Sequence, residues 1–132
     1  MIALHLLRHA HAGDATRWPG DDDERPLSEK GVRQAERLGR VLAHLDDHPD
    51  LFITSPRLRA SRTAEIVAEA LGKRVVVDER LAGPLDAGVV TEILRSQDKS
   101  ERPCLVGHDP DFSELLGELV GTDAIQIGRA HV

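Results

Sequence analysis

Ile2-Ala3-Leu4-His5-Leu6-Leu7-Arg8-His9 is the stretch that decides the fold. The apolar run through Leu7 is too short to span a membrane and reads as a buried strand. Arg8 and His9 therefore fall where a strand hands over to a loop. In open α/β sheets, ligands bind at the carboxyl ends of the strands. An imidazole beside a guanidinium at that position reads as a nucleophile next to its phosphate clamp. A second His and a second Arg recur later in matching contexts.

Working outward, residues 10 to 27 are rich in Gly, Asp and Pro and include the acidic cluster Asp21-Asp22-Asp23-Glu24. They predict a long surface loop, the kind that is functional or mobile, with the acidic cluster read as solvated. Ser28 is a good N-cap, and Val32, Ala35, Leu38, Val41 or Leu42, and Leu45 recur at helical spacing to about residue 45. Leu51-Phe52-Ile53-Thr54 reads as a strand and Ser55-Pro56 as a turn. Ala60, Ala64, Val67, Ala68 and Leu71 mark a second helix stopped by Gly72. Val75-Val76-Val77 is a third strand, followed by an irregular stretch and a helix from about Val89 to Arg95. Cys104-Leu105-Val106 is a fourth strand ending at Gly107-His108. Asp111 with Glu114 then predicts a capping box for a last helix, with Leu115, Leu116, Leu119 and Val120 on its core face. Alternating strands and helices give an α/β fold, a three-layer sandwich with a mainly parallel central sheet and helices on both faces.

The chain has 132 residues, enough for one ordinary core, with 40% apolar and 30% charged residues. That is a soluble globular balance, and no repeat or low-complexity segment interrupts it. The amino terminus has neither a basic n-region nor a small-residue cleavage site, so no signal or anchor is expected. A lone Cys104 cannot form an internal disulfide and reads as a small buried residue, which fits a cytoplasmic protein. The net charge of -6 argues against nucleic acid or an acidic membrane as partner. Trp18, Phe52 and Phe112 are too few to build a base-stacking platform.

The carboxyl-terminal segment reads differently. Ile127-Gly128-Arg129-Ala130-His131-Val132 can be reverse-translated as ATC GGA AGA GCA CAC GTC, the start of a common sequencing adapter. The expectation is a domain over 1–126, truncated at its carboxyl end, and a non-native tail over 127–132. A longer genomic reading frame that keeps this tail would overturn it. No function is assigned to His131.

Three segments carry chemically capable side chains at strand ends: Arg8-His9, Ser55 to Ala64, and Gly107-His108-Asp109-Pro110. A parallel sheet brings those ends to one edge, where two imidazoles and two guanidiniums can converge on a small anion. Arginine forks match phosphate oxygens bidentately, and a neutral imidazole can attack phosphorus. Positive neighbours lower the imidazole pKa and offset charge that develops on the equatorial oxygens.

These segments resemble the signature of the histidine phosphatase superfamily, which includes the cofactor-dependent phosphoglycerate mutases. The short length is most similar to the small bacterial phosphohistidine phosphatase branch. Four blocks carry the resemblance in order: Leu6-Leu7-Arg8-His9; Arg25-Pro26-Leu27-Ser28-Glu29-Lys30-Gly31 with Gln34-Ala35; the Ser-Pro-x-x-Arg-Ala-x-x-Thr-Ala block from Ser55 to Ala64; and Leu105-Val106-Gly107-His108. The resemblance implies a phosphoglycerate mutase-like fold. It implies His9 as the nucleophile that becomes phosphorylated, with Arg8, Arg59 and His108 completing the phosphate pocket. No metal and no other cofactor is implied.

For the proton donor the resemblance leaves three candidates. Glu79 lies after the third strand, Asp109 directly follows His108, and Asp86 is nearby; each is equally readable as a capping or surface carboxylate. A phosphomonoester benefits from a placed acid, whereas phosphohistidine protonated on its other ring nitrogen leaves as neutral imidazole. A weak acid motif therefore fits P–N cleavage. Arg57 and Arg62 read as helix-face or rim residues and His11 as a rim residue. His5 reads as packed, and His44 and His48 as solvated.

The expected activity is metal-independent hydrolysis of protein phosphohistidine. The expected partner is a monomeric enzyme's macromolecular substrate, a phosphorylated histidine-containing phosphotransfer domain of a phosphorelay. The alternatives are a small-molecule phosphomonoesterase and a non-catalytic phosphate-binding module. His9-Ala10-His11 with Asp14 superficially resembles a His-x-His metal pair, but Arg8 would oppose a divalent cation there.

Overall fold

Strand residues here alternate between two buried faces, and that alternation sets the layers. In the computed structural model, which describes residues 2–119 and 126–130, β1 (Ala3–Arg8), α1 (Glu29–Ala43), β2 (Leu51–Thr54), α2 (Leu58–Leu71) and β3 (Arg74–Val77) are followed by α3 (Ala87–Arg95), β4 (Pro103–Gly107), α4 (Asp111–Leu119) and β5 (Gln126–Ala130). The strand order is β3-β2-β4-β1-β5, and every neighbouring pair is parallel. The first two connections step one way across the sheet and the later two step back. Right-handed crossovers therefore place α1 and α2 on one face and α3 and α4 on the other.

The two cores follow that division. Leu4, Leu6, Leu51, Ile53 and Leu105 meet Val90 and Ile93 of α3 and Phe112 and Leu115 of α4. Leu7, Phe52, Cys104 and Val106 point the other way, against Ala35 of α1 and Ala60, Ala64 and Val67 of α2. Each fully buried large side chain contributes roughly 1.5–3 kcal/mol. The expected three-layer α/β sandwich is the fold observed.

Local sequence sets the element ends. The Ser28 hydroxyl accepts the Gly31 amide at 3.0 Å to start α1, and Gly72 closes α2 in the left-handed region at φ +66°. Gly31 has a tertiary reason as well: a Cβ there would lie 1.9 Å from the His11 carbonyl oxygen. The Arg-Pro-Leu-Ser-x-x-Gly block thus docks the start of α1 against the loop that leaves the Arg8-His9 strand.

Several expectations change. The helix predicted to about residue 45 stops at Ala43, and Leu42 packs on the core while Val41 and Leu45 are exposed. Asp111 is the first residue of α4 rather than its cap. The Asp109 carboxylate accepts the Ser113 amide and hydroxyl, at 3.1 and 2.8 Å, because the turn after β4 puts it over the first helical amides. Val120, His131 and Val132 lie outside the described residues. Residues 126–130, most of them in the segment read as a tail, pair with β1 along the sheet edge. Such pairing uses backbone groups alone and is indifferent to the origin of the sequence. Among the described residues no helix is long and apolar enough to cross a membrane.

Candidate active site

The site is built one residue beyond the last ladder pairs of three adjoining strands. The His9 amide donates to the Gly107 carbonyl at 3.0 Å and the Ser55 amide to Val106 at 3.0 Å, so β1, β4 and β2 deliver His9, His108 and Ser55 side by side. The His9 and His108 rings stand 5.3 Å apart, tilted by 55°.

His9 is half-buried, and its Nδ1 lies 2.7 Å from the Ala10 carbonyl oxygen. A carbonyl only accepts, so a neutral ring must carry its proton on Nδ1 and keep the Nε2 lone pair free. Burial pushes the His9 pKa down despite that bond, and Arg59, Arg25 and Arg8 add to the effect. His108 is buried; its Nε2 meets the Ser55 hydroxyl at 2.8 Å, while its Nδ1 has no hydrogen-bond partner. Desolvation first, then Arg57, His9 and Arg59, push its pKa down to about 3. An imidazole NMR titration of the substrate-free protein should therefore find the His9 midpoint below the ordinary 6.5 and that of His108 far lower, at about 3. A midpoint at or above 6.5 for His9 would contradict the electrostatics described.

Arg59 is buried on the first turn of α2 and reaches the same edge. Its two terminal nitrogens are held by Asp22, at 2.7 Å by the backbone carbonyl and at 3.0 Å by the carboxylate. Arg8 is exposed and pairs with Asp109 at 3.1 Å. Four further residues of the Ser55 to Ala64 block have a structural task. Ser55 holds His108, and Ala60 and Ala64 are fully buried, letting α2 approach the sheet. Thr63 accepts the Ala10 amide at 3.1 Å and donates to the Arg59 carbonyl at 2.7 Å, fixing the backbone beside His9. The sequence points to the phosphate pocket only through Arg59 here, and does not announce the bonds of Ser55 and Thr63. The signal for Thr63 was its helical i+4 spacing from Arg59, which puts both on one face.

The carboxylate candidates sit apart in their chemistry. Burial pushes the Asp109 carboxyl up, but the Ser113 hydroxyl and the Arg8 guanidinium outweigh it and hold the group below the usual carboxylate range. Asp86 caps α3 by accepting the Val89 amide at 2.8 Å, and Glu79 is exposed at the start of a short turn after β3. The acidic cluster is not simply solvated. Asp22 pairs with Arg59 and Arg25, and Asp23 lies 3.1 Å from Arg57, because the loop folds back over the strand ends. Arg25, the first residue of the second matching block, has a role the sequence does not announce: its guanidinium donates to the Ala12 carbonyl at 2.8 Å and fixes the loop near His9.

His11 anchors rather than lines the rim, its Nδ1 lying 2.6 Å from the Ser28 hydroxyl. Arg62 pairs with Glu65 along α2. His9, His11 and Asp14 do not converge, since Asp14 accepts the Thr16 amide and hydroxyl. Among the described residues no three His, Cys, Asp or Glu side chains form a metal-sized cluster. A cavity of about 490 Å³ opens at the opposite edge of the sheet, between Asp50, Arg74 and the 96–100 turn, away from both imidazoles.

A parallel three-layer sandwich with two imidazoles and two guanidiniums at its carboxyl edge defines an α/β enzyme of phosphoryl chemistry. Comparison with known proteins narrows the class: the profile of the Histidine phosphatase superfamily (branch 1) matches residues 4–122. The chain belongs to that superfamily. It is 35% identical over 116 residues to an uncharacterized protein of Picosynechococcus, spanning 86% of this chain and 70% of that one. It is 33% identical over 128 residues to the "Probable phosphoglycerate mutase GpmB" of Cronobacter sakazakii, covering 89% of this chain and 56% of that protein. It thus spans little more than half the length of the mutase-named relative. The crystal structure of the "putative phosphohistidine phosphatase SixA" from Agrobacterium tumefaciens superposes with a TM-score of 0.76 at 28% identity, covering 92% of this chain and 77% of that one.

Proposed function

We propose that this chain is a metal-independent phosphohistidine phosphatase, with His9 as nucleophile and Arg8, Arg59 and His108 as the phosphate pocket. The observation that carries the reading is the fixed tautomer of His9 at a site whose adjoining carboxylate, Asp109, is biased toward its ionised form. The Nε2 lone pair attacks phosphorus and the P–N bond to the substrate ring breaks. A substrate ring protonated on its other nitrogen departs as neutral imidazole, so this step needs no acid. Water then attacks the phosphoryl group on His9. The P–Nε2 bond breaks, its electrons return to the ring, and both protons of the water leave with the product as dihydrogen phosphate. Throughout, the Ala10 carbonyl holds the Nδ1 proton.

The carboxylates support a P–N substrate. Asp109 is biased toward its ionised form, Asp86 is engaged with a helix amide, and Glu79 faces solvent. The names of the SixA-like structures point the same way. The macromolecular substrate that fits is a histidine-containing phosphotransfer domain. A second reading, a small-molecule phosphomonoesterase, is favoured by the mutase-named relatives and by Asp109 beside His108. An incoming phosphoryl group that draws Arg8 away would raise the Asp109 pKa and make it a donor.

Turnover of a phosphorylated phosphotransfer domain against a simple phosphoester separates the two. The expected kcat/KM favours the P–N substrate by roughly 100-fold or more, and Asp109→Asn and Glu79→Gln leave P–N hydrolysis within about threefold of wild type. Preference for the ester, with its loss in Asp109→Asn, would establish the phosphomonoesterase instead.

A further inference from the structure

Arg59 is almost wholly buried, its side chain 6% exposed, while the Asp22 carboxylate that pairs with it is 54% exposed. Both terminal nitrogens of the guanidinium are engaged by that one residue. The Asp22 carboxylate also meets the Arg25 Nε at 3.0 Å, and Asp23 sits 3.1 Å from the Arg57 Nε. Two carboxylates of one short turn thus answer three guanidiniums around the phosphate pocket. The turn, Asp22–Glu24, buries none of its residues, and Asp21 caps it internally by accepting the Asp23 amide at 3.0 Å. It is held on the site by these ion pairs and by the Arg59 hydrogen bond to the Asp22 backbone carbonyl, with the fixed partners on the enzyme side.

We propose that Asp22 is a built-in competitor for the substrate's phosphoryl group: it occupies the Arg59 fork in the resting enzyme and must swing off for phosphate to bind. The inference rests on the reading of Arg59 as phosphate clamp. It assigns Asp22 a role in specificity. Lifting the turn takes Asp22 and Asp23 off Arg25, Arg57 and Arg59 together, and one tetrahedral dianion restores both lost negative charges in a single ligand. A carboxylate ligand gains no such advantage, so the site discriminates against carboxylic acids that a bare arginine pocket would accept. The cost is a weakened apparent affinity, lowered by the fraction of molecules with the turn open.

The test is binding of inorganic phosphate by calorimetry to wild type, Asp22→Asn, Asp23→Asn and Arg59→Ala. Asp22→Asn removes the charge but keeps the shape and the backbone contact, and should bind phosphate roughly fivefold tighter or more; acetate should gain affinity for this variant as well. Asp23→Asn should give a smaller gain. Phosphate titrated into the wild type should also change the emission of Trp18, the chain's one tryptophan, whose Nε1 donates to the Asp21 carbonyl at 2.9 Å at the edge of the turn. Unchanged or weaker phosphate binding in Asp22→Asn would make Asp22 a brace that holds Arg59 in place, and the proposal would fall. In that case Arg59→Ala still loses phosphate. If Arg59→Ala binds phosphate as wild type does, the clamp reading itself fails with it.

Discussion

His9→Ala should abolish the covalent phosphoenzyme and lower turnover by roughly 10⁴-fold or more, the scale on which losing a nucleophile acts. The physical case lies in its two nitrogens. Nδ1 is tied to the Ala10 carbonyl, so Nε2 is the only ring atom with a lone pair, and burial with three nearby guanidiniums keeps it unprotonated at neutral pH. His108 cannot substitute: its Nε2 is engaged with Ser55 and its ring is enclosed. Folding should be little affected, because His9 is half-buried and its side-chain bond goes to the neighbouring residue. A shift of the thermal midpoint by a few degrees is the expected limit. Rapid-quench labelling distinguishes the outcomes. A phosphoenzyme that persists in His9→Ala would move the nucleophile elsewhere and remove the basis of the mechanism.

Arg59→Ala carries the second large effect. Removing one preorganised partner for charge that develops in the transition state typically costs about 10²–10³ in kcat, and Arg59 is a two-pronged one. Arg59→Lys should recover only part of the loss, because an ammonium offers a point charge where the guanidinium offers a planar fork. The truncation has an electrostatic signature that misfolding would not produce. Arg59 lowers the pKa of both His9 and His108, so both should titrate at higher pH in Arg59→Ala. The Asp22 carboxylate keeps its Arg25 partner and is half-exposed to water, which limits the stability loss. Full activity in Arg59→Ala would remove the phosphate clamp from the mechanism.

The legible parts of the chain were those where chemistry and periodicity coincide. Strand runs, the Ser28 cap and Gly72 are local signals, and the fold class followed from their alternation. The convergence of His9, Arg59 and His108 on one edge was also legible, because parallel strands share their carboxyl ends. What escaped the reading depends on distance in sequence. Nothing near Asp22 announces that it will meet Arg59 across 37 positions, and an acidic run most often stays in water. Asp109 and Asp111 are equivalent as capping residues by type, and only the path of the backbone after β4 selects Asp109. The roles of Ser55 and Thr63 were hidden in a motif whose arginine drew the attention.

The ladder that continues past the strand ends has one more consequence. Neighbouring strands lie about 4.8 Å apart in any sheet, and the 5.3 Å between the His9 and His108 rings is close to that interval. The adjacency of the two imidazoles is therefore inherited from the backbone, which sets their parent residues side by side on neighbouring strands. A sheet of this order keeps the two histidine positions adjacent, which leaves the loops above it, where the acidic turn sits, as the freer place for substrate preference to change.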